Sequence, residues 1–156
     1  MMDPALEQQL AGCFARSDPW AEALAAVIAH FGADSGTVHL MGGDGMLHLR
    51  TASAGIPPPV IEIIRVVPVG KGMAGLAAER KQSVTACNIQ TDSSGDVRPG
   101  ARATGLEGAI ALPMLEGDRV AGVLGIANRR ERVFSADEES LLLETGRWLA
   151  ARTASR

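Results

Sequence analysis

The stretch Val66 to Asp92, VVPVGKGMAGLAAERKQSVTACNIQTD, decides the fold. A β-branched run ends in Gly70-Lys71-Gly72, an Ala-rich segment of helical composition follows, and a second β-branched run from Ser83 to Ala86 empties into a polar loop. Gly70-Lys71-Gly72-Met73-Ala74-Gly75 satisfies G-x-G-x-x-G between a strand and a helix, and Asp92 lies about 20 residues beyond Gly72; taken alone, this is a dinucleotide fingerprint. The fingerprint belongs to the first strand of an alternating parallel βαβ series, so its meaning depends on what surrounds it.

Upstream, the surroundings are wrong for that series. Asp3 and Asp18 each precede a proline placed at the first turn of a helix. Leu6, Leu10, Cys13 and Phe14 form one apolar stripe, and Trp20, Leu24, Val27, Ile28 and Phe31 form a second. Two helices therefore come before any strand. Thr37 to Met41, the turn Gly42-Gly43-Asp44-Gly45 and Met46 to Thr51 read as a β-hairpin. A turn centred on Gly43 and Asp44 sets Val38 opposite Leu49 and Leu40 opposite Leu47 on a core face. The same register sets Thr37 opposite Arg50, His39 opposite His48 and Met41 opposite Met46 on a half-polar face, with the two imidazoles roughly 5 Å apart at Cβ. Ile56-Pro57-Pro58-Pro59 breaks the strand, Val60 to Ile64 suits one helical turn, and Pro68 belongs at a sheet edge or strand end because it donates no ladder hydrogen bond.

Downstream, Asn88 to Gly105 is a long polar segment without periodicity, of the kind that forms lids and binding loops. Glu107 to Met114 and Arg119 to Ala127 then form a second hairpin, apolar on both faces and so expected at the sheet centre. One face of its second strand carries Val120, Gly122, Leu124 and Ile126, the other Ala121, Val123, Gly125 and Ala127. Small residues there admit either a closely packed helix or a small ligand. Ser135 and Glu138 form a capping box with Phe134 before it, opening a last helix with Leu141, Leu142, Thr145, Trp148 and Leu149 as its stripe. Two helices, a hairpin, strand-helix-strand, a hairpin and a helix make an α+β domain with a mostly antiparallel sheet. In that context the glycines at 70, 72 and 75 read as turn geometry. The N–H groups at this helix start, with Lys71 beside them, remain a candidate cradle for an anionic group.

The 156 residues, 46% hydrophobic and 21% charged, fit one domain spanning 1–156, with its core at about 18–150. A net charge of −3, with three Phe, two Trp and no Tyr, lacks the basic, ring-bearing surface that nucleic acid requires. Arg129-Arg130 and the Arg147, Arg152, Arg156 series read as solvated flanks. Cys13 and Cys87 stand apart, without disulfide or zinc spacing, which suits a reducing cytoplasm. Leu10-Ala11-Gly12-Cys13 has the form of a lipoprotein box but no apolar segment before it, and no run reaches the roughly 18 apolar residues of a membrane span. No nucleic-acid or membrane partner is expected.

Together, the order of elements and three local motifs resemble a GAF domain over about residues 18 to 150. VGKGMAGLAAERKQSVTACNIQTD resembles the family's central segment, GLEGAIALPMLEGDRVAGVLGIANRR its last hairpin, and FSADEESLLLETGRWLA its closing helix. The resemblance implies a sheet of about five to six strands, with the N- and C-terminal helices on one face and short helices and a long loop over the other. It also implies a sensory or regulatory module that binds a small molecule between the sheet and the 70–105 segment. His39, His48, Met73, Asn88, Asp92, Arg98 and Arg102 are the candidate ligand-binding residues, with no cofactor and no metal ligands assigned.

Lys81 stands where the family often has a helix-ending glycine, and Asn88 where an Asp is usual. Asn128, Arg129, Phe134, Glu138 and Glu139 form a variant of an Asn-Lys-Phe-Asp-Glu pattern whose role is mainly structural. The family's enzymatic branch, free methionine-R-sulfoxide reductase, needs a cysteine in the turn where this chain has Ala74 and another in the long loop, where residues 88 to 105 have none. An enzyme is thus the least expected class. Two other readings stand beside the sensor. One, compatible with it, is a homodimer that needs no ligand, with residues 1–16 serving dimerisation and Leu6, Leu10, Phe14, Leu142 and Leu149 buried only between two copies. The other is a metal or haem site at His39 and His48, against which stands a plain pair of partly exposed histidines.

Overall fold

The computed structural model describes residues 2–97 and 99–153. Its elements are α1 (Pro4–Cys13), α2 (Pro19–His30), β1 (Ser35–Met41), β2 (Met46–Ala52), α3 (Pro58–Ile64), β3 (Val66–Pro68), α4 (Gly72–Arg80), β4 (Val84–Ala86), a 3-10 helix (Pro99–Thr104), β5 (Ala109–Glu116), β6 (Arg119–Ala127) and α5 (Ala136–Thr153). All six strands join one antiparallel sheet in the order β3-β2-β1-β6-β5-β4. The doubly apolar hairpin β5-β6 and strand β1 are central, as strands buried on both faces must be. Pro68 ends the edge strand β3.

One face of the sheet carries the main core. Leu6 and Leu10 of α1, Trp20, Leu24 and Val27 of α2, and Leu142 and Leu149 of α5 pack there against Val38, Leu112 and Leu124. Leu6, Leu10, Leu142 and Leu149 are thus buried within one copy of the chain, which corrects the expectation that a second copy is needed to cover them. Phe14 sits edge-on to Trp20 and Trp148, so α1 is part of the domain's own packing. Asp3 caps α1 through Ala5 N and Leu6 N. Asp18 precedes α2 without a side-chain cap bond, its carboxylate lying 3.9 Å from Arg50 instead. The capping box of α5 is complete: Glu138 N donates to Ser135 Oγ at 3.1 Å, and Ser135 N donates to Glu138 Oε1 at 2.9 Å. Among the described residues, no helix is long and apolar enough to cross a membrane.

The first hairpin departs from its expected register. Gly42 N bonds Met46 O, and Gly45 takes φ +77°, so Gly43-Asp44-Gly45 is a three-residue loop rather than a two-residue turn. Each pairing therefore shifts by one: His39 faces Leu49, and His48 faces Leu40. A slip of one residue moves a side chain to the other face, so His48 leaves the face that holds His39. Beyond it, an irregularity between Val38 and His39 shifts the register again, so that Val38 faces Thr51 and Thr37 faces Ala52. In β6 a similar irregularity near Met114 sends Ala121 to the helix-covered core and Val120 to the opposite cluster, against the simple alternation.

The glycine turn is geometry. Gly70 and Gly72 take φ +92° and +66°, and a Cβ on Gly75 would lie 2.3 Å from the Pro68 carbonyl oxygen. The N–H groups of Gly70 and Lys71 are spent on the carbonyls of Gly75 and Pro68, so the proposed anion cradle loses two of its donors. Lys81 ends α4 in the left-handed conformation, φ 55°, at the position where glycine carries no Cβ penalty. Lys81→Gly is therefore expected to raise the unfolding free energy by about 0.5–1 kcal/mol in urea melts, the relief of left-handed strain outweighing the added freedom of the unfolded chain.

Candidate functional site

The second face of the sheet is covered incompletely. Ala109, Ala111, Val123, Gly125 and Ala127 pave β5 and β6 with small side chains, while α3, the start of α4 and the 3-10 helix arch over them. Between floor and roof lies a cavity of about 380 Å³. The roof is contributed by Ile56, Val60, Ile63 and Ile64 from in and before α3, Met73 and Ala74 from α4, and Val97, Ala101 and Leu106 from the long loop. Among the described residues, Ser35, Thr37, His39, Lys71 and Thr104 are the polar side chains of the lining.

Of the residues singled out from sequence, His39 and Met73 line this cavity. His39 is 3% exposed, and its Nε2 lies 2.8 Å from the carbonyl oxygen of Ile64, the last residue of α3. Because a carbonyl can only accept, Nε2 carries the proton, and in the neutral ring Nδ1 is left as a lone-pair acceptor. The bond ties the roof helix to the central strand. Burial lowers the pKa of His39, opposed by the hydrogen bond to Ile64, with a further lowering from the charge of His48. His48 itself stands on the opposite face, half exposed, its Nε2 2.9 Å from the Asp44 carboxylate. That hydrogen bond from His48, with a second from Met46 N, holds the Asp44 carboxyl below its ordinary range. The two imidazoles cannot share a metal. Among the described residues, no group of three His, Cys, Asp or Glu side chains is placed to hold one.

Asn88, Asp92 and Arg102 do not line the cavity; they build the loop that covers it. Asn88 Oδ1 accepts from Gln90 N, and its Nδ2 donates to Glu131. Asp92 accepts from the backbone and hydroxyl of Ser94. Arg102 donates to the carbonyls of Ile89 and Asp92, and Gln90 donates to those of Arg102 and Leu106. Arg98 lies outside the described residues. An irregular segment must satisfy its own backbone polar groups, and these side chains do so, leaving Val97 and Leu106 to turn inward. The apolar roof of α3 is hard to read from sequence because Val60 to Ile64 looks like any short helix; its signal is four large aliphatic residues in one exposed-looking turn after three prolines.

The Asn128 network is structural, with one change of partner. Asn128, 1% exposed, donates to Gly32 O and accepts from Arg132 Nη1 at 2.8 Å; Arg132 also pairs with Glu138 at 2.7 Å and covers the Phe134 ring. Arg132, and not Arg129, is the cation of the pattern. The hydrogen bond from Ser135 N and then that from Arg132 hold Glu138 below the usual carboxylate range. Glu139 accepts from Ser83 at 2.6 Å, fastening α5 to the start of β4.

An antiparallel sheet with the terminal helices on one face and a roofed apolar cavity on the other is the α+β architecture of a GAF-like fold. The chain belongs to the GAF domain family, whose sequence profile matches residues 21–150. The solved GAF domain of a phosphoenolpyruvate-protein phosphotransferase from Acinetobacter is similar over 99% of this chain and 95% of that one, at 19% identity and a TM-score of 0.79. The corresponding domain from Coxiella burnetii is similar over 97% and 92%, at 19% identity and 0.78. Free methionine-R-sulfoxide reductase from Neisseria meningitidis, solved with its substrate, shares the fold over 97% and 86%, at 18% identity and 0.76. Among curated proteins, none matches the sequence.

The buried imidazole has a consequence for stability. Its folded pKa lies below the model-peptide value of 6.5, so as pH falls through 6.5 the unfolded chain takes up a proton that the folded chain refuses. Stability is full above that value and declines on its acid side, toward the lowered folded pKa. Asp44 and Glu138, with lowered pKa values, lose their contributions only at more acid pH. The melting temperature is expected to fall between about pH 7 and about pH 5, and His39→Gln is expected to flatten that slope. An unchanged slope in the variant would remove His39 as its origin.

Proposed function

We propose that the chain is a sensory or regulatory module that binds a small molecule in the cavity between the sheet and the 70–106 segment and passes occupancy to the terminal helices. The observation that carries this reading is the cavity itself. Its volume of about 380 Å³ falls in the range of small-molecule sites, and its lining is mostly apolar with few polar groups, as such sites are. Membership of a family of sensory and regulatory modules supports it. A route for the signal is built in: β5 and β6 form the cavity floor and, on their other face, carry α5. A ligand shifts that arrangement only if it binds two states of the roof with different affinity. The roof supplies such states cheaply, since it rests on short elements and on loop hydrogen bonds near solvent.

The reductase reading has the fold in its favour and the side chains against it. Ala74 occupies the cavity wall where that chemistry would need a thiol. Cys13 is buried in the helix-covered core and Cys87 is exposed, and neither lines the cavity.

Thermal-shift measurements against a panel of amino acids, keto acids, nucleotides and uncharged alcohols, phenols and heterocycles test the proposal. At least one compound is expected to raise the melting midpoint, and Ala111→Leu, which fills the floor, is expected to weaken its binding by roughly tenfold or more while the circular dichroism spectrum is kept. A midpoint that no compound moves, or a ligand indifferent to Ala111→Leu, would count against the cavity as the site.

A further inference from the structure

Two polar groups of the cavity wall are spoken for: Ser35 Oγ is 3.0 Å from Ser53 Oγ, and Thr104 Oγ1 donates to Ala101 O while accepting from Leu106 N. Lys71 is exposed and keeps its water, whereas His39 has one ring nitrogen fixed and the other buried. Nε2 is committed to the Ile64 carbonyl, which fixes the tautomer, and Nδ1 is buried with no hydrogen-bond partner among the described residues. A buried acceptor without a donor is costly, and native proteins seldom keep one without a use. The ring is not free to turn and exchange its nitrogens without giving up the bond that holds α3 to the sheet. Thr37, two residues earlier on the same strand and also in the cavity wall, adds a hydroxyl beside it.

The charge of the wall narrows the partner further. Among the described residues the lining holds one charged side chain, the exposed Lys71, and neither Asp nor Glu, so an ammonium group entering the cavity would shed its water with no counter-charge to meet. An imidazole held neutral in an apolar enclosure suits an uncharged donor.

From this we infer that the cavity selects a largely apolar molecule bearing a neutral O–H or N–H donor, such as an alcohol, a phenol or an N–H heterocycle, and that His39 Nδ1 accepts the hydrogen bond from that donor. The inference rests on the cavity being the ligand site and adds which chemical group the ligand must present and which atom reads it. His39 then has two jobs at once. Its Nε2 sets the position of the roof and its Nδ1 senses the occupant, so a ligand's hydrogen bond is made on the same ring that latches α3.

Matched probe pairs test this on the full chain: phenol against anisole, and indole against 1-methylindole, each pair differing by the loss of the donor. Titration calorimetry is expected to show the donor-bearing member binding roughly tenfold more tightly, and the gap is expected to close in His39→Leu. Histidine-labelled nitrogen NMR supplies a readout that does not need the variant to fold. With three histidines in the chain, His39 is assigned by elimination using His30→Gln and His48→Gln. Its ring is expected to be the neutral Nε2–H tautomer, with the Nδ1 resonance moving on addition of phenol and not of anisole. Equal binding of the paired probes would overturn the inference while leaving the cavity as a site. Failure of all four to bind would overturn both, and so would their binding unchanged by Ala111→Leu. A ring protonated at Nδ1, or an Nδ1 resonance that already reports a hydrogen bond from bound water and does not move with phenol, would overturn the assignment of the acceptor.

Discussion

The central strands of this domain are apolar on both faces, and that single constraint organises everything else. A sheet of this kind is stable only when both faces are covered. One face is closed by α1, α2 and α5 with large aliphatic and aromatic side chains. The other is paved with Ala, Gly and Val and roofed by α3, α4 and the long loop, which meet it in two small apolar clusters and leave the cavity bordered by both. The cavity is what lies between a shallow floor and a short-legged roof. Its existence follows from side-chain size on β5 and β6 as much as from the roof.

What keeps that roof from settling is a small number of directional bonds. His39 Nε2 fixes the end of α3, Arg80 pairs with Asp96 at 3.1 Å to tie the loop to α4, and Arg102 and Gln90 hold the loop to itself. Gly75 lets α4 lie directly on the Pro68 carbonyl. These contacts are few, and the apolar clusters beneath the roof are small, whereas the opposite face is held by one contiguous hydrocarbon core. Fewer buried contacts on the cavity side make its arrangement the cheaper one to change.

The same division explains why the Asn128, Arg132 and Glu138 network is best read as architecture. It joins the loop after β6, the end of α2 and the cap of α5 on the rim of the sheet, and its members touch one another and not the cavity. A family pattern preserved in residue type can thus survive for packing alone. The partner exchange from Arg129 to Arg132 fits that view, since an ion pair of this sort needs only a cation within reach.

The sequence by itself determined the order of elements, the α+β class, the central place of β5 and β6, the edge place of β3, the capping of α1 and α5 and the structural meaning of the glycine turn. All of these rest on interactions a few residues apart or on periodicity along one element. The register of the first hairpin was decided by loop length, because the one run Gly42-Gly43-Asp44-Gly45 can close as a two-residue turn or a three-residue loop, and that one residue separated His48 from His39. Burial of the α1 and α5 stripes within one copy depended on helix crossing over the sheet, which periodicity does not encode. The candidate site was legible at His39 and Met73, each on an element whose face could be read. Asn88, Asp92 and Arg102 look in sequence like ligand contacts and turn out to satisfy their own loop, because only the folded path shows which carbonyls lie within their reach. The bond from His39 to Ile64 spans 25 residues between a strand and a helix end, and only the tertiary structure could decide which ring nitrogen remained.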